Sequence, residues 1–522
     1  MGGGLMQLVA YGAQDVYLTG NPQITFWKVT YRRHTNFAME AIEQTFNGQA
    51  DFGRRVTCTI SRNGDLAYRT YLQLTLPEIG TDHAHYARWL DFPGHQLISQ
   101  VEIEIGGQRI DRQYGDWMHI WNTLTQSKEQ EVGYNNMVGH TTALTYITDP
   151  SFAEVDTPCS DSAPRQTCAP RKALPETTLY VPLQFWYCRN PGLALPLIAL
   201  QYHEVKINID LRPIDECLWA INDNLASGTK AMTAYAQSLV AASLYVDYVF
   251  LDTDERRRMA QNPHEYLIEQ LQFTGDESVG SSSNKIKLNF NHPCKELIWV
   301  VQPDANVDYC ASLETGEALY KLLGAQPFNY SDAYDALPNA FHAFGASGPL
   351  EDMITGSGLF DNADADVPSS TVIQEGFTSG LQDGEGGPEG SLVSDAGTFV
   401  LAETALNMHC WGQNPVVTAK LQLNGQDRFS EREGTYFDLV QPFQHHTRTP
   451  DTGVNLYSFA LRPEEHQPSG TCNFSRIDNA TLQLVLSNAT VSGTATAKVR
   501  IYAVNYNVLR IMSGMGGLAY SN

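Results

Sequence analysis

Paired histidines are the first residues in this sequence whose types and spacing could support chemistry. His83 and His85 lie two positions apart, and His445 and His446 are adjacent. A catalytic metal also needs a carboxylate and a further histidine that converge on the same ion. No glutamate follows His85 within five residues, and adjacent histidines on a strand would point to opposite faces. The sequence therefore predicts no metal site and no cofactor.

A pair of glutamates, Glu102 and Glu104, is the second candidate for chemistry. Two carboxylates on one face of a strand are similar to the acid and base of a glycosidase. In a strand that alternates apolar and polar residues, the same pair is typical of a face exposed to water, and we favour that interpretation. The chain also lacks a Gly-x-Ser-x-Gly motif, a phosphate-binding loop and a His-Glu-x-x-His motif. We find no catalytic constellation and predict that the protein is not an enzyme.

Asparagines in the pattern Asn-x-Ser/Thr are the third candidate, because this pattern accepts N-linked glycans. The matching residues are Asn329, Asn473, Asn479 and Asn488. Only Asn329 lies in a segment that we expect to be exposed, so it is the one glycosylation candidate. The first cation of the chain is Lys28, and no basic region precedes an apolar stretch. We therefore predict that the chain has no secretory signal.

The overall charge narrows the classes of function further. The chain has 58 acidic and 34 basic side chains and a net charge of −24, which argues against a protein that binds nucleic acid by neutralising phosphates. No apolar run reaches the roughly 18 to 20 residues needed to span a bilayer. Cys159 and Cys168 flank a loop rich in proline and serine, and a disulfide between them is one alternative. Nine scattered cysteines without a Cys-x-x-Cys motif nevertheless predict free thiols in a reducing cytosol.

Strands dominate the sequence and must position any functional residue. Apolar and polar residues alternate at 72–76, 101–105, 205–211, 286–290, 482–486 and 499–502, as they do in antiparallel sheets that are buried on one side. Asn63-Gly64 and Asn424-Gly425 are typical two-residue hairpin turns. The side chains that we predict to be buried are Val101, Ile103, Ile105, Leu421, Leu423, Leu482, Leu484 and Leu486.

Two short helical patterns and one long acidic segment interrupt the strands. Residues 5–18 form a short amphipathic pattern. Residues 253–262 follow a capping Asp252 and contain three consecutive arginines, which predicts a solvated linker helix rather than a phosphate site. Residues 303–400 contain sixteen acidic side chains and one cation, Lys321. This acidic segment predicts a long hydrated surface loop, because it has no apolar period and no EF-hand spacing that would indicate a calcium site.

An internal echo indicates two copies of one domain. Residues 102–117 and 420–436 each contain an alternating strand, a Gly-Gln turn, arginines, a glycine and an aromatic residue. A second echo joins 243–250 to 499–506. Two tandem β-sandwiches explain the length better than three unlike domains. The predicted parts are an N-terminal arm at 1–24, a first sandwich at 25–252, a linker helix at 253–262, a second sandwich at 263–510 and a tail at 511–522.

Five long blocks, at both ends and in the middle of the chain, carry a resemblance to one protein family. They lie at 8–38, 60–66, 245–272, 472–480 and 505–520. The chain resembles the major capsid proteins of nucleocytoplasmic large DNA viruses, above all those of viruses of algae and other protists. The resemblance implies an all-β fold, the double jelly roll. This fold has two consecutive eight-stranded antiparallel β-sandwiches, here with short N-terminal and linker helices.

The resemblance also implies a structural function in the virion capsid. Three chains would form a pseudo-hexameric capsomer, and capsomers would tile an icosahedral shell through lattice contacts. The implied partners are copies of the same chain, minor capsid or cement proteins, and host attachment factors at the outer loops. Nucleic acid would not be contacted, and an internal viral membrane would be adjacent but not crossed. The chain would be made and assembled in the host cytoplasm. Independently of the resemblance, the amphipathic pattern of the arm, apolar at Leu5, Met6, Leu8 and Val9, predicts that the arm lies against neighbouring proteins.

Two alternatives would use the same fold differently. A carbohydrate-binding protein would expose residues such as Tyr330, Asp332 and Tyr334, although most aromatic residues of sandwiches belong to the core. A bicupin-like metal-dependent protein would use the histidines described above.

Overall fold

The chain folds into two β-sandwiches that follow each other in sequence. The computed structural model describes residues 2–80, 82–84, 86–145, 174–222, 229–307, 325–332 and 413–520. The strands of the first half are β1 (Phe37–Gln44), β2 (Arg55–Thr59), β3 (Leu66–Leu76), β4 (Tyr86–Trp89), β5 (Ile98–Ile105), β6 (Gln108–Tyr114), β7 (Thr177–Pro182), β8 (Leu195–Pro196), β9 (Val205–Leu211), β10 (Leu218–Asn222), β11 (Thr229–Lys230) and β12 (Ala241–Leu251). Of these, β4, β10 and β11 form a separate three-stranded sheet beside the sandwich. Those of the second are β13 (His264–Phe273), β14 (Glu277–Val279), β15 (Ser283–Leu288), β16 (Pro293–Pro303), β17 (Val416–Leu423), β18 (Gln426–Glu433), β19 (Val454–Ser458), β20 (Cys472–Asn473), β21 (Ala480–Leu486), β22 (Ala497–Met512) and β23 (Met515–Leu518).

The two sandwiches have the same topology. In the first, a large sheet in the order β1-β12-β3-β7 accompanies a small sheet in the order β2-β9-β5-β6. In the second, the orders are β13-β22-β16-β19 and β15-β21-β17-β18. Each set of eight strands, taken in chain order, therefore occupies matching positions, which is the jelly-roll arrangement. The prediction of two consecutive eight-stranded antiparallel sandwiches is confirmed, and both internal echoes fall on equivalent strands.

One of the two predicted hairpin turns is confirmed and the other is wrong. Asn424 and Gly425 have φ angles of 50° and 80° and join β17 to β18, as a type I′ turn requires. Asn63-Gly64 does not close a hairpin, because β2 and β3 lie in different sheets. Gly64 instead lies against the ring of Tyr248, with no room for a Cβ atom.

The cores contain the side chains that the alternation predicts. Val101, Ile103 and Ile105 are fully buried in the first sandwich. In the second sandwich, four of the five side chains predicted to be buried are at most 2% exposed: Leu421, Leu482, Leu484 and Leu486. The prediction is wrong only for Leu423, which is half-buried at the end of β17.

The helices are short and lie mostly between strands. They are α1 (Gly3–Val9), α2 (Val16–Thr19), α3 (Pro93–Leu97), α4 (Gly115–Thr125), α5 (Glu131–Val138), α6 (Thr142–Thr145), α7 (Trp186–Arg189), α8 (Met232–Tyr235), α9 (Thr253–Gln261), α10 (Gln441–His445) and α11 (Asn488–Val491). A π-helical turn, Tyr436–Val440, precedes α10. None of the helices in the described ranges is long and apolar enough to cross a bilayer.

Two of these helices test the helical patterns of the sequence. The pattern at 5–18 forms two helices, α1 and α2, rather than one. The predicted linker helix is α9, which is capped by the Asp252 side chain and has no buried residue. Its Arg256 pairs with Asp65 of the first sandwich at 2.7 Å. The domain boundaries stay a prediction.

The long strand β22 connects the two cores. It spans sixteen residues and pairs with β13, β14, β16 and β23. Leu509 and Ile511, near its end, are buried in the core of the first sandwich. The chain then returns to the first sandwich, where the Tyr202 amide donates to the Gly514 carbonyl at 3.0 Å.

The two ends of the body differ in what they carry. Near the start of β22, Ala497 pairs with Pro303, and near its end Ile511 pairs with His264. The acidic segment therefore begins at one end of the second sandwich, while the linker helix lies at the other. The predicted arm, 1–24, continues without a strand up to β1, so we use the word arm from here on for residues 2–36. It leaves the first sandwich beside Leu251, which also leads into the linker helix. Arm and acidic segment thus leave the body at opposite ends.

Replacement of Ile103 by alanine should lower the free energy of unfolding by about 2–5 kcal/mol, because it leaves a cavity in a fully buried site. Urea unfolding followed by tryptophan fluorescence measures the loss. Val132→Ala, at a side chain that is 72% exposed, is the control and should change stability by less than about 0.5 kcal/mol. Equal effects of the two substitutions would contradict the assigned core.

Candidate assembly surfaces

The helix α4 joins the two sandwiches. Its apolar side chains recur at i, i+3, i+4 and i+7, which gives one continuous stripe: Trp117, Ile120, Trp121 and Leu124. This stripe packs on the outer face of the second sandwich's large sheet, against Ile298, Val300, Val454, Leu456, Tyr502 and Val504. We call this contact the seam. Sequence reasoning missed α4, although its stripe is visible in the printed sequence.

Buried charges close one side of the seam. Arg500 of β22 donates to Asp116 of α4 at 2.8 Å and to Asp276 at 3.0 Å. Arg212 of the first sandwich reaches Asp116 at 3.4 Å. Because the side chains of Arg500 and Asp116 are only 15% and 11% exposed, removing either one would leave a charge stranded in a place of low polarity. The pair therefore fixes how the sandwiches sit against each other.

A second ion cluster crosses the seam around Glu269 of β13. Arg189 of the first sandwich binds it at 3.1 Å, and the fully buried Lys295 binds it at 2.8 Å. Burial alone would raise the pKa of Glu269, but His466, Arg189 and Lys295 lower it to about 2. Arg189 also lies 4.8 Å above the ring of Trp121, so one side chain serves both the ionic and the apolar contacts of the seam.

His446, one of the sequence candidates for metal binding, is a buried structural cation. It follows α10 rather than lying on a strand, so the expected alternation of His445 and His446 is wrong. Its Nε2 lies 2.9 Å from Glu296 and its Nδ1 lies 2.9 Å from Glu464. Burial alone would lower the pKa, but the two carboxylates outweigh it and raise the pKa to about 9. Both ring nitrogens are therefore donors, which leaves none to bind a metal.

Glu102 does not lie on the solvated face that its alternating strand predicts. It is 3% exposed and binds Arg55 at 2.7 Å, with Arg112 on its other oxygen. Burial alone would raise its pKa, and the two arginines lower it. Glu104 remains half-buried on the same strand. Glu102 is thus part of a local ion cluster, which engages both of its carboxylate oxygens.

Of the remaining sequence candidates for metal and disulfide chemistry, some lie within the described residues and some lie outside them. His83 contacts Asp82, whereas His85 lies outside the described residues. Within the described ranges, no three His, Cys, Asp or Glu side chains are placed to hold a metal ion. Cys159 and Cys168 also lie outside these ranges. The cysteines that the structure describes carry free thiols: Cys58, Cys188, Cys217, Cys294 and Cys472.

Asn329, the glycosylation candidate, is less exposed than expected. It is half-buried, and its amide nitrogen donates to the Gln326 side chain at 2.7 Å. The expected exposure is therefore wrong, and its modification stays a prediction. The neighbouring Tyr330, considered for carbohydrate binding, is 1% exposed and packs in the seam cluster. Asp332 accepts from the Gln413 amide, and Tyr334 lies outside the described residues.

Within the described part of the body, two surfaces present exposed apolar side chains. The first is the open helix face of the second sandwich, formed by Leu439, Val440 and Phe443, which are 53%, 39% and 82% exposed. The second is the open sheet face, the outer side of the first sandwich's large sheet. Met39 and Tyr180 are exposed on this face, and Tyr71, Tyr245 and Val249 are partly buried there. Strand register places the charged Glu43 and Asp247 on the same side.

The arm is a third open surface. Its residues are exposed except Asp15, and Phe26 and Trp27 are 103% and 82% exposed. Its net charge is +2 in a chain of −24, from Lys28, Arg32, Arg33 and Asp15. Large apolar side chains so fully exposed to water are typical of segments that a partner covers.

Comparisons with known proteins identify the family of the chain. A family model for the large eukaryotic DNA virus major capsid protein matches residues 255–517, and one for the major capsid protein N-terminus matches residues 25–252. The chain belongs to the major capsid protein family of large eukaryotic DNA viruses. The resemblance seen in the sequence is confirmed. The chain is a structural protein of the virion capsid.

Individual major capsid proteins agree along the whole chain. That of Phaeocystis pouchetii virus is 79% identical over 529 residues, and that of Paramecium bursaria Chlorella virus 1 is 40% identical over 545, each with 100% of both chains covered. A chain in the quasi-atomic model of the PBCV-1 virus capsid is 34% identical, with a TM-score of 0.61 and 95% of this chain and 100% of that chain covered. The double jelly roll of the major capsid proteins is therefore also confirmed.

The stability of this capsid protein should depend on pH through His446. The folded pKa of about 9 lies above the ordinary value of 6.5, so the protonated ring stabilises the fold fully below pH 6.5. This contribution, on the order of 3 kcal/mol, is lost as the pH rises through 9. Urea unfolding of the wild type and of His446→Gln from pH 6 to 9.5 measures it, since all other titrating groups are shared. The free energies of unfolding should converge as the pH rises, and parallel curves would contradict the assignment.

Proposed function

We propose that three copies of the chain form a pseudo-hexameric capsomer, and that capsomers tile an icosahedral shell. The observation that carries this proposal is the rigid seam between two sandwiches of equal topology. One chain thus presents two similar modules at a fixed orientation, and three chains supply six. A ring of three can then occupy a position of local six-fold symmetry without six identical chains.

The difference between the two ends of the body supports an orientation in the shell. The acidic segment carries sixteen acids and one cation, and a composition that favours hydration and repels like charges suits the outside of a particle. The cationic, apolar arm leaves the opposite end, which would face inward. Minor capsid proteins or an internal membrane would then meet the arm, and host attachment factors would meet the acidic end.

The proposal extends to where the chain works. Synthesis and assembly take place in the host cytoplasm, where the thiols of the five described cysteines stay reduced. The protein has no enzymatic role, since its buried Glu102 and His446 are fully engaged with ionic partners. The genome is not contacted, because an acidic body repels phosphates.

Native mass spectrometry of the purified protein should give a species at three times the 57.9 kDa of one chain. The physical reason is that the open helix face and the open sheet face are covered only when copies associate. A monomer at all accessible concentrations would contradict the proposal, and a monomer with bound metal or sugar would favour one of the alternatives.

Deletion of residues 2–20 should leave the body folded and reduce the yield of assembled shells. These residues have no buried side chain, so the melting temperature should not change. Electron microscopy counts the shells, and a deletion of the last two residues is the control. An unchanged shell yield would show that the arm does not bind neighbouring proteins.

A further inference from the structure

The second sandwich contains a counterpart of the seam helix α4. The match is anchored by two glycines, Gly115 and Gly434, each of which starts its helical segment. Neither has room for a Cβ atom, because Gly115 abuts the carbonyl of Ile98 and Gly434 abuts that of Val416. Ile98 and Val416 begin β5 and β17, which occupy the same position in the two small sheets. The two glycines are therefore equivalent sites of the two sandwiches.

Counting from these glycines aligns the two helical segments residue by residue. The positions two, five, six and nine residues after Gly115 are the seam stripe, Trp117, Ile120, Trp121 and Leu124. The same positions after Gly434 are Tyr436, Leu439, Val440 and Phe443. The residue three positions after each glycine supports the alignment, because Met118 and Phe437 are each buried in the core of their own sandwich. The second sandwich thus repeats the apolar stripe of α4.

The stripe of the second sandwich differs from that of α4 in having no cover within the described part of the chain. The seam residues of α4 are at most 6% exposed, whereas Leu439, Val440 and Phe443 form the open helix face. A ring as large as that of Phe443, 82% exposed, is unusual on a protein that works alone. The helical segment includes a π-turn at Tyr436–Val440, an irregularity that is frequent at functional sites.

The surface that receives α4 also has an uncovered counterpart. In the second sandwich, α4 covers the outer face of the large sheet. The first sandwich has a large sheet of the same strand order, and its outer side is the open sheet face. Tyr245 lies directly opposite Tyr71, and Tyr180 lies opposite Gln73, two positions along β3. Tyr180 and Met39 are 43% and 49% exposed.

We propose that the open helix face of one copy docks on the open sheet face of a second copy, and so reproduces the seam between chains. The occupant is a second copy because the equivalent pair of surfaces, α4 and the outer face of the second sandwich's large sheet, already packs within the chain. The inference rests on the proposed trimer and names the surfaces that hold it together. Phe443 and Leu439 would insert among Tyr71, Tyr180 and Tyr245.

This contact is head-to-tail, which fixes how the assembly grows. Each copy offers one helix face and one sheet face, so three contacts use every face and close a ring. Within that ring, seams inside chains alternate with seams between chains. Six sandwiches would then be joined by one type of packing.

The test replaces the two most exposed residues of each face by aspartate. The helix variant is Leu439→Asp with Phe443→Asp, and the sheet variant is Met39→Asp with Tyr180→Asp. Each should raise the dissociation constant of the trimer at least about a hundredfold, because buried aromatic anchors dominate such interfaces. Sedimentation velocity measures association, and thermal melting verifies that each variant is folded.

A matched control separates the faces from a general effect of charge. Val132→Asp with Met232→Asp adds the same two negative charges at side chains that are 72% and 67% exposed, and lies on neither face. This control should stay trimeric. A trimeric wild type with a trimeric helix or sheet variant would overturn the inference and leave the proposed function standing, whereas a monomeric wild type would overturn the proposed function itself.

Mixing the two variants tests which face meets which. The sheet variant keeps its helix face and the helix variant keeps its sheet face, so an equimolar mixture retains one intact contact per pair. The expected product is a heterodimer at twice the 57.9 kDa of one chain, with no closed trimer. If the mixture stays monomeric although each variant is folded, the helix face does not dock on the sheet face and the inference fails.

Discussion

The packing of α4 on the second sandwich is the contact on which the rest of the structure depends. Apolar burial drives it, because Trp117 and Trp121 would otherwise face water. The ions around Arg500 and Glu269 then fix the relative position of the sandwiches, since any other arrangement would strand buried charges. A shell subunit needs this division of roles. Its modules must keep one angle while their flanks and ends remain free for partners.

The sequence was informative wherever structure is decided by near neighbours. A period of two identified the buried faces of β5 and β21, because alternate side chains of a strand point to opposite sides. Asn424-Gly425 marked its hairpin because positive φ angles are costly for most other residues. The internal echo was a sound guide to the repeated fold, since it preserved the glycine that each helical segment needs beside a strand.

The sequence was least informative where partners are distant along the chain. Glu102 looked solvated because its alternation shows only which side of the strand it occupies, whereas Arg55 arrives from another strand. The pairing of His446 with Glu296 has no signal in the sequence, because the two residues lie 150 positions apart. Asn63-Gly64 has the composition of a hairpin, but the strands on either side of it belong to different sheets. In each case tertiary contacts overrode a local preference.

The path of β22 through both cores links the order in which the chain is synthesised to the folding of both sandwiches. Leu509 and Ile511 complete the core of the first sandwich, yet in the chain they follow almost all of the second sandwich. Neither half can therefore reach its final packing before β22 has been synthesised. Prematurely terminated chains lack part of both halves, so they are poor competitors for places in the lattice. The fold thus contains its own check on length.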